Sequence, residues 1–257
     1  MKKFLSELKK RNSLLYYFGW LNFAGAVVCL LLTQFTDIQV LGISAFIKPA
    51  KFFLSTWIFS WSISWLLAYL NEPRKINIYS WMVVAVFSFE NLYILFQAAR
   101  GQLSHFNTSS AGSIMFILMG IAITLMTVWT AYFSLLFFKR SFPALPRHYV
   151  WGIRFGLLFF VIFAIGGHVM ATMQHHTVGG PDGGAGLPFV NWSTRYGDLR
   201  VAHFLGMHSL QILPLMAYYV SRRSIITILL SIVYFLLVSA VFVQALISKP
   251  LIQFYLG

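Results

Sequence analysis

The chain has 257 residues, of which 59% are apolar and only 10% are charged. Soluble domains carry about 25% charged residues, so this composition excludes a soluble enzyme, a soluble nucleic-acid-binding protein and a disordered protein. An integral membrane protein remains. The formal net charge of +13 is strongly basic, and its distribution along the chain decides whether it indicates a nucleic-acid partner or a membrane topology.

Seven apolar segments of helical length follow one another along the chain. About 20 helical residues cross a bilayer core of roughly 30 Å. The basic residues 1–12 precede the first apolar segment, and no small-residue cleavage site follows it, so we predict an uncleaved span rather than a signal peptide. We predict an all-α, polytopic bundle that forms a single domain over residues 1–257, with spans at about 13–34, 47–70, 78–99, 112–138, 151–173, 200–220 and 224–247.

The basic residues are distributed unevenly over the connections between these spans. If the N-terminus is inside, 13 of the 19 Lys and Arg residues fall on the inner side and 6 on the outer side. This is the asymmetry that the positive-inside rule predicts. The charge therefore indicates orientation, with the N-terminus inside and the C-terminus outside, and a nucleic-acid partner is excluded. A bacterial inner membrane, with the outer side facing the periplasm, is the predicted location.

Glu90 is the most informative single residue of the sequence. It lies in the third predicted span, ten residues before Arg100, and therefore roughly 15 Å below the outer end of that span. An ionisable residue at this depth is costly and marks a functional site by default. Ligation of a metal or transfer of a proton is the functional interpretation, and a protonated carboxyl that hydrogen-bonds between helices is the structural alternative.

Six of the seven histidines fall on the outer half of the predicted topology. His168 in span five and His208 in span six lie at nearly the depth of Glu90, and their spans are consecutive and antiparallel. We predict that Glu90, His168 and His208 form a metal site, a combination of two histidines and one carboxylate that suits Fe or Zn. Neighbouring methionines make Cu a further possibility. Alternatively, His168 and His208 are the axial ligands of haem b.

Four histidines are predicted to form a shallower layer that supplies acid and base groups or further ligands: His105, His175, His176 and His203. Of these, His105, His175 and His203 are the predicted catalytic residues. His203 and His208 are about 140° apart around a helix, so we expect His203 to be turned aside from the centre that His208 faces. An ordinary hydrogen bond between helices is the alternative role for each imidazole.

The outer connection over residues 174–199 is rich in glycine and proline, which excludes a helix or a regular strand between residues 179 and 188. It is either a lid over the outer site or an ordinary connection that folds back on the bundle. Asp198 is predicted to cap the following helix. Pro214 is predicted to kink span six.

The leading functional hypothesis is a membrane metalloprotein, an oxidoreductase or hydrolase that acts on a quinone or another lipid-soluble substrate reached from the bilayer. A haem b electron carrier, a proton- or ion-coupled transporter and a non-catalytic assembly or sensor protein are the alternatives. The sequence contains no HExxH motif, no phosphate-binding glycine loop and no cysteine-based metal motif.

Overall fold

The chain folds into helices that are joined by short connections. The computed structural model describes residues 2–183 and 186–253. Within these residues, four short strands form two antiparallel pairs, β1 (Gln39–Val40) with β2 (Ile43–Ser44), and β3 (Thr177–Val178) with β4 (Gly197–Asp198). The helices are α1 (Lys2–Arg11), α2 (Ser13–Phe35), α3 (Ile47–Leu67), α4 (Pro73–Ala99), α5 (Ser110–Lys139), α6 (Arg147–Met173), α7 (Leu199–Met207), α8 (Ser209–Tyr219) and α9 (Ser224–Leu246).

Six helices of the described chain are long and apolar enough to cross a membrane: α2, α3 with the turn Ala68–Leu70 that continues it, α4, α5, α6 and α9. Many large apolar side chains on these helices are exposed, as expected of surfaces that face lipid rather than water. The structure thus supports an all-helical, multi-pass membrane protein. In the predicted sixth span, 200–220, it has two consecutive helices, α7 and α8, instead of one continuous helix.

The contacts group the chain into two compact units. The first unit ends at Met126 and the second begins at Thr127, so α5 contributes to both. In the first unit, α2, α3 and α4 pack together, and a cluster of Phe46 with four small residues fills part of the core beside the β1–β2 hairpin: Cys29, Ala45, Ala50 and Ala98. Leu41 and Gly42 both adopt positive φ, 52° and 77°, in the hairpin turn, the backbone that a two-residue turn between antiparallel strands requires.

In the second unit, α6 packs against α7, α8 and α9. Glycines allow α6 and α8 to approach closely: a Cβ atom on Gly152 would lie 2.7 Å from the Leu213 carbonyl oxygen, and one on Gly156 would lie 2.9 Å from that of Ser209. Such small residues are typical of interfaces between membrane helices. The core beside them is largely aromatic and includes Phe159 and Phe163.

The interruption between α7 and α8 lies at His208, six residues before Pro214. In a continuous helix the Leu205 carbonyl would accept a hydrogen bond from the amide of Ser209. Here it accepts one from the Tyr234 hydroxyl of α9, at 2.5 Å. The Ser209 hydroxyl donates to the Gly156 carbonyl of α6, at 2.9 Å.

Candidate functional site

His203 projects from α7 towards α6, and its ring is held by the backbone of that helix. Its Nδ1 lies 2.9 Å from the Phe163 carbonyl oxygen. A carbonyl oxygen only accepts, so Nδ1 carries the proton and Nε2 keeps its lone pair. The ring lies beside Gly166 and Gly167, where a Cβ atom would come within 3.4 Å and 3.3 Å of ring atoms. His203 thus faces α6, and its orientation away from the centre that His208 faces stays a prediction.

His208, at the interruption, shows the same pattern with a different partner. Its Nδ1 lies 3.1 Å from Oε1 of Gln211, and its ring centroid lies 4.2 Å from that of Phe204. The amide oxygen accepts, so Nε2 of His208 also keeps its lone pair. A hydrogen bond that fixes the tautomer in this way is usual for imidazoles that bind metals.

His168 and His175 lie at the end of α6 and just after it. His168 is exposed and is close enough to His203 for their charges to interact. His175 follows Gln174, whose positive φ of 58° ends the helix. The Nδ1 atom of His175 is buried without a hydrogen-bond partner in the described chain. His203 and His168 are therefore within electrostatic range of each other, and the Nδ1 atom of His175 has no hydrogen-bond partner among the described residues.

Asp198 fastens the connection between α6 and α7. It caps α7, as predicted, by accepting from the Arg200 amide at 3.1 Å, and it also accepts from the Ser193 amide at 2.9 Å. The Arg200 guanidinium pairs with both of its carboxylate oxygens, at 2.9 Å and 2.6 Å. Burial by itself would raise the pKa of Asp198, but Arg200 and the Ser193 amide outweigh that effect and hold the pKa below its usual value.

The same connection folds on itself around a second carboxylate. Asp182 accepts from the amides of His176 and Thr177, at 3.2 Å and 2.9 Å, and its Oδ1 lies 3.2 Å from Nδ1 of His176. Trp192 packs its ring against Phe204 of α7, with centroids 5.5 Å apart. The described part of this connection is therefore held by internal bonds, and Trp192 contacts α7. Its role as a lid or as an ordinary connection stays open.

Glu90 lies in the first unit, on α4, and its side chain is buried. Lys48, in the first turn of α3, is close enough for its charge to act on the Glu90 carboxyl. Lys48 also acts on His105 and lies over the ring of Phe52, with Nζ 6.0 Å from the centroid. The sequence identified Glu90 and His105 but gave no reason to single out Lys48 as the cation beside them.

His105 lies in the connection between α4 and α5, among aromatic rings. Its ring centroid is 5.7 Å from that of Phe52 and 5.5 Å from that of Phe116, and its Nδ1 is 3.2 Å from the Ser104 hydroxyl. Burial, and to a smaller extent the charge of Lys48, hold the pKa of His105 well below its usual value. A neutral imidazole is therefore the stable form at neutral pH.

The predicted three-residue centre draws on both units: Glu90 belongs to the first, and His168 and His208 belong to the second. Their common site stays a prediction. Within the described parts of the chain, no group of three or more His, Cys, Asp or Glu side chains is arranged to hold a metal ion. Among the histidines of the second unit, His168 is close enough to His203 for their charges to interact.

No family model, no curated protein and no solved structure is significantly similar to this chain. The function is therefore inferred from the residues of the two units themselves.

Proposed function

We propose that the protein is a multi-pass membrane metalloprotein whose metal or haem is bound by histidines of the second unit. The observation that carries this proposal is the hydrogen bond from Nδ1 of His203 to the Phe163 carbonyl, because it leaves Nε2 oriented and unprotonated. His168 is the second donor, and the available Nδ1 of His175 is a third. His208 remains a candidate ligand through its own Nε2.

Imidazole donors suit Fe, Zn and Cu, and two of them suit haem b. A centre with open coordination positions would perform a redox reaction, with a quinone as a candidate electron acceptor, or the hydrolysis of another lipid-soluble substrate. His105, His175 and His203 are the proposed acid and base groups where they do not bind the cofactor. Glu90 would complete a site with two histidines if the two units bring it to them.

The orientation belongs to the same proposal. The uneven distribution of Lys and Arg supports an N-terminus in the cytoplasm of a bacterial cell, with six of the seven histidines on the periplasmic half. The α7–α8 pair would then form the sixth of seven spans, since its 21 residues from Leu199 to Tyr219 extend roughly 31 Å.

Absorption spectroscopy and elemental analysis of the purified protein test the proposal. We expect either a Soret band or a stoichiometric transition metal, which His203→Ala and His168→Ala lose. His148→Ala is the matched control, because His148 lies in the first turn of the same helix as His168 and should keep the cofactor. A purified protein with neither haem nor metal, or loss that is equal in the control, would overturn the proposal.

Glu90→Gln tests whether the centre also includes the carboxylate. Lower metal occupancy with unchanged thermal stability would place Glu90 in the metal site. Unchanged occupancy would assign Glu90 to a separate role in the first unit, and a proton- or ion-coupled transporter is the second candidate function that its burial beside Lys48 favours.

A further inference from the structure

A row of buried polar side chains runs along the inside of the first unit. Thr56, Ser60 and Ser64 follow one another at intervals of four residues on α3, so they share one face of that helix. All three are at least 98% buried. From Ser64 to Thr56 the row extends roughly 12 Å along the helix axis.

One end of this row meets polar residues of two other helices. The Asn91 amide of α4 donates to Asn22 of α2 at 2.9 Å and to Thr56 at 3.1 Å. Asn22 in turn donates to the Phe18 carbonyl at 2.8 Å. Asn91 directly follows Glu90 on α4, so this end of the row lies at the same depth along the helix as the buried carboxyl, on which the charge of Lys48 also acts.

The other end of the row lies towards the beginning of α4. Since α3 and α4 are consecutive and antiparallel, Ser64 is on the same side of the unit as Ser80 of α4. Ser80 accepts from the side chain of Asn12, the residue that caps α2, at 2.7 Å. The polar residues therefore extend from the start of α2 and α4 to the depth of Glu90.

Several polar atoms along the row have no protein partner in the described chain. They are the hydroxyls of Ser60 and Ser64, the Asn91 Oδ1 atom and the Trp57 indole nitrogen. A buried polar group without a partner costs about 1–3 kcal/mol, and in folded proteins such groups are usually satisfied by internal water. Four such atoms in one interior indicate a string of water sites rather than a single one.

We propose that water molecules fill this row and that the hydrated row carries protons between the Asn12–Ser80 end of the first unit and Glu90. Hydroxyl groups and water both donate and accept hydrogen bonds. Each oxygen accepts one proton and releases one of its own, and the Glu90 carboxylate accepts the last. Only O–H bonds form and break, so no oxidant or other co-reactant is required.

The first experiment measures whether water reaches the row. In a Cys29→Ala background, which removes the one native thiol, Ser60→Cys and Ser64→Cys are treated with silver ion in water. Leu92→Cys is the control, because Leu92 is next to Asn91 but its side chain is exposed on the outside of the unit. We expect the two introduced thiols to react faster than the control. Equal or slower reaction would show a dry interior and overturn the proposal.

The second experiment measures proton transfer itself. After a rapid drop in pH, infrared spectroscopy follows protonation of the Glu90 carboxylate, which is assigned by its absence in Glu90→Gln. We expect the Ser60→Ala/Ser64→Ala double variant to slow this protonation roughly tenfold. The Ser60→Thr/Ser64→Thr variant keeps both hydroxyls and should keep the rate. Ser55→Ala, on the exposed face of α3, should also keep it.

An unchanged rate in the double alanine variant would overturn the proton path even if silver reaches both sites. Slowing in Ser55→Ala as well would do the same, because the effect would not be specific to the row. None of these variants changes a histidine, so the result is independent of the metal site proposed for the second unit.

Discussion

The two units hold their helices together in different ways. In the first unit, the interior between α2, α3 and α4 contains hydrogen-bonded amides and hydroxyls, with Asn91 linked to Asn22 and Thr56. In the second unit, α6 approaches α8 through Gly152 and Gly156 and packs on an aromatic core. A membrane chain gains little from moving apolar surface out of lipid, so polar contacts and close packing are the two means left to it. The first unit has a polar interior, whereas the second combines close packing at glycines with hydrogen bonds from side chains to helix carbonyls.

The largest expected effect comes from filling the close approach in the second unit. Gly152→Leu should lower the free energy of unfolding by about 3 kcal/mol or more, because its side chain would have to displace Ala217 and the Leu213 backbone. Thermal unfolding in detergent measures this. Gly120→Leu is the control, since no atom lies within 4 Å of a Cβ added at Gly120.

Cys29 makes the same experiment a test of whether the units unfold separately. Its buried thiol belongs to the first unit. In Gly152→Leu we expect the rate of Cys29 labelling to change much less than the melting temperature does. Labelling that accelerates in proportion would show that the two packing strategies stabilise one cooperative structure.

Asp198→Asn is expected to have the next largest effect, about 2 kcal/mol, because it removes the charge that pairs with Arg200 in a partly buried site. The pKa of Asp198 is lower in the folded protein than its usual value, so its stabilisation is present above the usual carboxyl pKa and is lost as the pH falls through the folded-state pKa. Melting temperatures between neutral and acidic pH check this.

The control for that series is Asp37→Asn, which changes an exposed carboxylate in a different connection. It should leave both the melting temperature and its acid dependence as in the wild type. If Asp198→Asn retains the wild-type acid dependence, other groups stabilise the connection.

A smaller effect is expected for the polar interior of the first unit. Asn91→Ala removes two side-chain hydrogen bonds and should cost about 1 kcal/mol, the scale of polar contacts between membrane helices. Leu92→Ala, at the adjacent exposed position, should change stability by less than about 0.5 kcal/mol. A larger loss for Leu92→Ala would show that outward apolar contacts outweigh the interior amides.

The smallest effect concerns His105. Its pKa is lower in the folded protein than in the unfolded chain, because burial and Lys48 disfavour the charged ring. The unfolded chain therefore binds the proton first, and stability falls as the pH drops below the usual histidine value. His105→Gln should reduce this acid sensitivity, as measured by the slope of melting temperature against pH. An unchanged slope would contradict the assignment.

The long apolar helices and the residue that caps α7 could be predicted from the sequence. The second predicted span, 47–70, coincides with Ile47–Leu70, and Asp198 caps α7 as expected. These features depend on local residue order. A turn at Leu41–Gly42 was missed because it requires positive φ at a leucine, for which the sequence gives no strong signal.

Features that depend on which helix face points inward could not be predicted. Thr56, Ser60 and Ser64 lie among apolar residues, and a membrane helix that is apolar on all sides does not reveal its interior face. The contact of His203 with α6 depends on the rotation of α7. The interruption at His208 depends on a hydroxyl from α9, far along the chain.

The Tyr234 hydroxyl links the interruption between α7 and α8 to the position of α9. The Leu205 carbonyl belongs to α7, but its hydrogen bond is completed by Tyr234 of α9. If α9 slides along its axis or Tyr234 changes rotamer, the carbonyl loses its partner and can recover one only by straightening the chain towards the Ser209 amide. The angle between α7 and α8 and the axial position of α9 are therefore coupled through the hydrogen bond to the Leu205 carbonyl oxygen.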